Sequence, residues 1–373
     1  MRIAFLINGM TGYLNAEFTQ LHALGNELLV VTPEGDGLDE AMADTEFRLN
    51  TRDFAQVHGW HADPNPRELV ALVREFGPDA VIMTSWNFTK AYRAVMKSVP
   101  PSVVRVLIMD NMWRGAPKQW LGRAIHRFYV DTVADAAMVP SDRTEQYAKL
   151  LGFAPADIIR GSLSCDTSLF HSDARTGDEI ASHRAFLYVG RLVWHKGADV
   201  LAASYRRYRE LVDDPWDLHV VGKGPLEGEV AGVPGVTMHG FMQPPDVARF
   251  MREATSCYVL PSHIEPYGVV VHEAASCGLP ILCSDFTGAA AGLMQDGRNG
   301  WVVESANIEQ WAQAMARMSR LEAPRLQSMS DVSRAIASRF SPQGWALNVH
   351  EELTRRKAAG GGRFTPHYRA PRA

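Results

Sequence analysis

Two glutamates eight positions apart, Glu265 and Glu273, are spaced to hold opposite ends of one extended anionic ligand. They bound the run Glu265-Pro-Tyr-Gly-Val-Val-Val-His-Glu273. A strand is predicted to end at Tyr258-Val-Leu260, the chain to turn through Pro261–Pro266, and a helix to begin near Gly268. That order aims a helix N-terminus, with its unpaired N–H groups and partial positive charge, at the carboxyl end of a strand. In an open α/β sheet this is an anion site. The plainer reading of the same spacing is a capping acid followed by a solvated helix acid, and spacing alone supports the two equally.

An anion needs cations, and candidates stand upstream. Gly190-Arg191 closes the predicted strand Phe186–Val189, and Lys196-Gly197 precedes the helix Ala198–Leu211. Gly190 permits a tight exit from the strand, Arg191 offers a planar donor fork to phosphate oxygens, and Lys196 adds a point charge. Gly222-Lys-Gly224-Pro225 follows the next strand, and His239-Gly240-Phe241 the one after. Each turn by itself also suits an ordinary protein surface. Together they fall at the carboxyl ends of consecutive parallel strands, the crevice edge of such a sheet.

The elements that position these groups form two series. Apolar runs at Ile3–Ile7, Leu28–Val31, Ala80–Met83, Val103–Ile108 and Ala136–Val139 alternate with helical patterns. A second series comprises Phe186–Val189, Leu218–Val221, Val236–Met238, Cys257–Leu260, Ile281–Cys283 and Trp301–Val303. Fully apolar strands separated by helices predict parallel sheets covered on both faces. The polar stretch Ser164–Ser182 reads as the linker between them. The expected organisation is an N-terminal Rossmann-like domain over 1–165 and a second over 166–340. A helix over 341–356 packs back on the first domain, and 357–373 is a disordered tail.

Composition narrows the function classes. At 373 residues, 46% hydrophobic and 21% charged, the chain is that of a soluble globular protein, and its net charge of −4 gives no sign of nucleic-acid binding. Cys165, Cys257, Cys277 and Cys283 form no CxxC pair and read as reduced core thiols of a cytoplasmic protein, with no metal site. The start, Met1–Ile7, reads as a first strand rather than a signal peptide, and no apolar run is long enough to span a bilayer.

The ordered series Gly190-Arg191-x4-Lys196-Gly197, Gly222-x-Gly224 and Glu265-x7-Glu273 resembles the retaining glycosyltransferases of family 4. The likeness continues through Glu273-Ala-Ala-Ser-Cys-Gly-Leu-Pro-Ile281 and Asp296-Gly-Arg-Asn-Gly-Trp-Val302. It implies the GT-B fold, two Rossmann-like parallel-sheet domains facing a central cleft. It further implies transfer of a hexose-type sugar from a nucleoside-diphosphate sugar to a hydroxyl, with retention and without a metal or other cofactor. By that resemblance Arg191 and Lys196 bind the diphosphate, Glu265 the donor sugar and Glu273 the ribose. Backbone N–H groups near Tyr267, Gly268 and Val269 complete the cradle. Gly190, Gly222, Gly224 and Phe241 line the donor side, and Gly9 and Gly12 lie in the turn after the first strand. Many family members carry a histidine at the end of the strand matching Val103–Met109. Here the run is Leu107-Ile-Met-Asp110-Asn-Met-Trp113, and Asp110 is the nearest polar candidate, for a site role or a local cap.

The acceptor side is quieter. Thr11, Asn15, Trp86 and Trp113 are its candidates, and the acceptor is a saccharide, a lipid-linked or a small-molecule hydroxyl. Between Trp86 and Arg127 eight Lys and Arg residues face one acid, Asp110, with Trp113, Trp120 and Leu121 among the later charges. That pattern suits peripheral docking on an anionic lipid surface, or a solvated helix whose Trp residues face the core. Two rival functions remain in the sequence: a nucleotide-sugar epimerase of the same fold and a non-catalytic nucleotide-sugar sensor.

Overall fold

Both strand series form parallel sheets in the computed structural model, which describes residues 1–34, 48–85, 89–161 and 163–364. The chain divides into two compact units. One comprises Met1–Leu163 with Pro342–Ala373, the other Ser164–Ser341.

In the first unit, β1 (Arg2–Leu6), β2 (Glu27–Pro33), β3 (Gln56–Trp60), β4 (Ala80–Thr84), β5 (Val104–Ile108), β6 (Ala136–Val139) and β7 (Ile158–Arg160) make one sheet. Its order is β3-β2-β1-β4-β5-β6-β7, and every pairing is parallel. Helices α1 (Gly12–Ala23), α2 (Pro66–Phe76), α3 (Lys90–Ser98), α4 (Pro117–Tyr129) and α5 (Asp142–Leu150) connect the strands. Side chains alternate across the sheet: Ile3 and Phe5 meet Leu14 and Phe18 of α1 on one face, while Ala4 and Leu6 meet Val73 of α2 and Tyr92 of α3 on the other. Burial on both faces is why these strands read as unbroken apolar runs.

The second unit repeats the plan. Strands β8 (Ala185–Val189), β9 (Asp217–Val221), β10 (Val236–Gly240), β11 (Cys257–Leu260), β12 (Ile281–Ser284) and β13 (Gly300–Val303) pair in the order β10-β9-β8-β11-β12-β13, again all parallel. Its helices are α6 (Gly177–His183), α7 (Ala198–Leu211), α8 (Glu227–Ala231), α9 (Pro244–Glu253), α10 (Val269–Ser276), α11 (Ala290–Leu293), α12 (Ile308–Ser319) and α13 (Ala323–Ala337). Both units are Rossmann-like.

The expected linker and the expected tail differ from what the structure shows. Ser164–Ser182 is no free linker: it lies in the second unit and carries α6, whose start is fixed by reciprocal bonds between Thr176 and Glu179. The last helix, α14 (Pro342–Ala358), belongs to the first unit and packs Trp345, Ala346, Val349 and Leu353 on the face that holds α1. The described part of the supposed tail is also tied down. Arg363 donates to Asp131 at 2.8 Å, and the Phe364 N–H donates to Asp157 at 2.7 Å. The tail's cations find acids of their own unit, so composition alone misleads there. Residues 365–373 lie outside the described residues.

Candidate active site

The order of the second sheet reverses between β8 and β11, so the loops leaving these two strands open side by side at the carboxyl edge. The first loop carries Gly190, Arg191 and Lys196; the second carries Glu265, Tyr267 and Gly268. The Ile264 N–H donates to the His195 carbonyl at 3.0 Å and laces the loops together. Across that seam Lys196 Nζ donates to Glu265 Oε2 at 2.5 Å, with the side chains 23% and 5% exposed. A carboxylate this buried is tolerated because a cation faces it. Its backbone is fixed too: the Glu265 N–H donates to the Phe286 carbonyl, and the Gly288 N–H to the Glu265 carbonyl.

Gly268 then starts α10 in the left-handed region, φ +88°. No side chain caps the helix and its first turn holds no acid, so the Val269 and Val270 N–H groups remain for an anion, while the Val271 N–H donates to the Gly268 carbonyl at 3.0 Å. Arg191 Nη2 donates to His195 Nε2 at 3.3 Å. Burial, with Lys196 and Arg191 close by, holds the His195 pKa below its usual value, so the neutral ring accepts that bond. The Tyr188 hydroxyl donates to the Arg191 carbonyl at 2.8 Å.

The glycine turns serve the seams between loops. The Gly222 N–H donates to the Gly240 carbonyl at 2.7 Å, and the Leu192 N–H to the Lys223 carbonyl at 2.8 Å. A Cβ on Gly222 would lie 1.9 Å from the Gly190 carbonyl oxygen. A Cβ on Gly224 would lie 2.4 Å from the Leu192 carbonyl oxygen, and Phe241 follows β10, part-buried. Glu273, on α10, is the odd carboxylate. Among the described residues no side-chain hydrogen bond or ion pair holds it, and burial of its carboxyl pushes its pKa up to about 8. A part-buried acid with a desolvated carboxyl and no protein partner is poised for a ligand's donors.

Sequence reasoning missed the histidines. The Cys165 N–H donates to His272 Nδ1 at 3.0 Å, and His272 Nε2 donates to the Ala337 carbonyl at 3.0 Å. Burial pushes this ring down to about 4 and keeps it neutral. Asp199 holds His263 Nε2 at 3.0 Å, and the Trp194 ring stacks on His263 at 4.5 Å. This brace stiffens the turn between Arg191 and Lys196. The signal available was position: Trp194 and His195 lie between the two cations.

In the first unit the candidates are more dispersed. Gly9 and Thr11 follow β1, where that sheet also reverses order. Thr11 Oγ1 accepts from the Leu14 N–H and caps α1, whose first residue is Gly12. Asn15 donates to Asn50 at 2.9 Å and accepts from Thr51 at 2.7 Å. Trp113 packs against Trp120 and Tyr147, ring centres 5.0 and 5.6 Å away. Thr11, Asn15 and Trp113 are thus engaged in local structure, and Asp110 is exposed just past β5, accepting from Asn111. Trp86 lies outside the described residues.

Comparison with known proteins agrees with this layout. Residues 8–160 match the model of the glycosyl transferase 4-like domain, and residues 183–320 match that of the glycosyl transferases group 1. The chain belongs to the GT4-type glycosyltransferases. Among curated relatives of this GT4-type chain, the D-inositol 3-phosphate glycosyltransferase of Arthrobacter sp. is 30% identical over 43% of the chain and 39% of the relative. The protein of the same name from Pseudarthrobacter chlorophenolicus is 27% identical over 59% of the chain and 53% of the relative. The chain therefore spans about half the length of the curated relatives it matches, or less. Anabaena HepE in complex with UDP superposes with a TM-score of 0.72 at 17% identity, over 95% of this chain and 100% of that one. Sucrose-phosphate synthase from Thermosynechococcus elongatus gives 0.73 at 18% identity, over 96% and 100%. These likenesses establish the GT-B fold for the GT4-type chain.

Proposed function

We propose that this protein is a retaining glycosyltransferase that moves a hexose-type sugar from a nucleoside-diphosphate sugar to a hydroxyl acceptor, without a divalent metal. The observation that carries the reading is the Lys196–Glu265 pair beside an uncapped helix start, with an unpartnered Glu273 on the same helix. Breaking the anomeric C–O bond leaves positive charge on the sugar ring and added negative charge on the departing diphosphate. Arg191, Lys196 and the first N–H groups of α10 are the groups that would take up that negative charge, already oriented before the reaction. With Lys196 turned to phosphate, Glu265 is released to accept from sugar hydroxyls, and Glu273 accepts from the ribose hydroxyls. The departing phosphate takes the acceptor's proton on the same face of the sugar, which gives retention. Asp110 is the nearest polar candidate in the first unit for a donor-sugar contact.

UDP in complexes of the structural neighbour HepE makes uridine the first base to try. The acceptor is a saccharide, a lipid-linked or a small-molecule hydroxyl, met in the cytoplasm with peripheral contact to the inner face of a membrane. Purified protein, offered UDP-sugars and a cell extract, is expected to release UDP and yield a glycosylated product visible by mass spectrometry, in EDTA as well as without it. Arg191→Ala should lower turnover by about a hundredfold or more, the scale of one lost transition-state donor. Glu265→Ala should abolish it. Turnover retained in Glu265→Ala would remove that residue from the site, and loss in EDTA would overturn metal independence.

A further inference from the structure

Helix α4 is amphipathic the wrong way round for a globular surface. At helical spacing, Pro117, Trp120, Leu121, Ala124 and Phe128 make one stripe. All five are exposed, with Trp120 at 48%, Leu121 at 59% and Phe128 at 82%. The opposite side is polar or small. Gln119 donates to the Met112 carbonyl and accepts from the Arg114 and Ala116 N–H groups. Gly122 is the one buried residue of the helix, and His126 bonds Asp131. Tyr129 lies under the Arg93 guanidinium, 3.6 Å from its ring centre. The helix thus turns its hydrogen-bonding side to the protein and its apolar side to solvent, with one edge of Trp120 resting on Trp113.

What covers that stripe is indicated by charge. From Asn111 to Val130 the chain carries Arg114, Lys118, Arg123 and Arg127 and no acid, although its net charge is −4. Lys118 flanks one border of the stripe and Arg127 the other. A second copy docked by two-fold symmetry would press these cations against their own counterparts. An anionic surface that is apolar beneath its charge satisfies both features at once. Among the described residues no helix is long and apolar enough to cross a membrane.

We propose that α4 docks the protein on an anionic lipid bilayer, seating Trp120, Leu121 and Phe128 among the acyl chains while Arg114, Lys118 and Arg127 meet lipid phosphates. The proposal makes specific the peripheral-membrane part of the reading above and is independent of its sugar chemistry. Flotation of the full chain with phosphatidylcholine vesicles, with and without phosphatidylglycerol, tests it. Binding is expected only to the anionic vesicles. Leu121→Ser/Phe128→Ser, and separately Lys118→Glu/Arg127→Glu, should each weaken partitioning by about tenfold or more, and the wild-type affinity should fall with salt. UDP binding, followed by calorimetry, should be unchanged in both variants, which shows that they fold and keeps donor chemistry separate. Overturning results are wild type that fails to float with anionic vesicles, or variants that float like wild type. Light scattering that shows a dimer abolished by Phe128→Ser, without lipid binding, would assign the stripe to a second copy instead.

Discussion

His272 and Glu273 are neighbours in sequence whose titrations are displaced in opposite senses by the same burial. Against usual values of 6.5 and 4.5, the histidine sits at about 4 and the glutamate at about 8. Near pH 6 both are therefore neutral in the folded chain. Between pH 6.5 and 8 only the folded chain holds the Glu273 proton, so stability falls as pH rises through that window, by about 2 kcal/mol. Between pH 4.5 and 6.5 the unfolded chain gains a proton at His272 that the folded chain lacks, and the two slopes offset. Glu273→Gln should flatten stability from pH 6.5 to 8 and expose a rise from pH 4 to 6.5, read as urea midpoints across pH. An unaltered alkaline slope would show that Glu273 is not the buried acid. If ribose hydroxyls donate to this carboxylate, UDP binding favours its ionised form. Up to about one proton should then leave near pH 7, seen as a binding heat that depends on the buffer.

At the scale of elements, the site depends on how closely loops approach one another. Gly222, with φ +140°, touches the Gly190 carbonyl so closely that an added methyl finds backbone at 1.9 Å, whereas a Cβ on Gly228 of α8 meets nothing within 4 Å. Gly222→Ala should cost about 2 kcal/mol or more and weaken UDP binding, while Gly228→Ala, in a helix with open space around it, should be neutral or stabilise by up to about 1 kcal/mol. Denaturation midpoints and calorimetry on the pair decide it; equal behaviour would mean that the loop seam yields easily. Elements also differ in how plainly the sequence announces them. The central strands are legible there because burial on two faces writes an apolar run. β3 and β7 are not: both are edges, β3 is part-exposed and β7 is three residues long. Arg191, Lys196 and Glu265 are legible from their places at strand ends. The contact between Lys196 and Glu265 is not, because it spans 69 residues and depends on β8 and β11 being neighbours out of sequence order. The aromatic and basic content of α4 is plain in the sequence. Its outward face is hidden, since that is set by Gln119 and His126 finding partners on the protein side.

At the scale of the whole molecule, the first unit is built from two separated pieces of chain and the second from one. The closing piece, α14, completes an apolar core: Trp345 is 4% exposed, packs 6.4 Å from the Phe18 ring centre, and lies with Val349 and Leu353 against residues of β1 and α1. The groups proposed to bind the nucleotide all lie in the other unit. Each unit has its own core and covers both faces of its own sheet, so calorimetric unfolding should resolve two transitions that respond to different perturbations. Trp345→Ala should cost the first unit about 3–5 kcal/mol by opening a cavity in its core, and lower only the transition of that unit. Saturating UDP should raise the other transition, by about 2.7 kcal/mol at a hundredfold excess over Kd. Scans of wild type and Trp345→Ala, each with and without UDP, separate the two effects. A single transition moved equally by the mutation and the nucleotide would mean that the two pieces of the first unit and the nucleotide unit fold as one cooperative body, with α14 stabilising both.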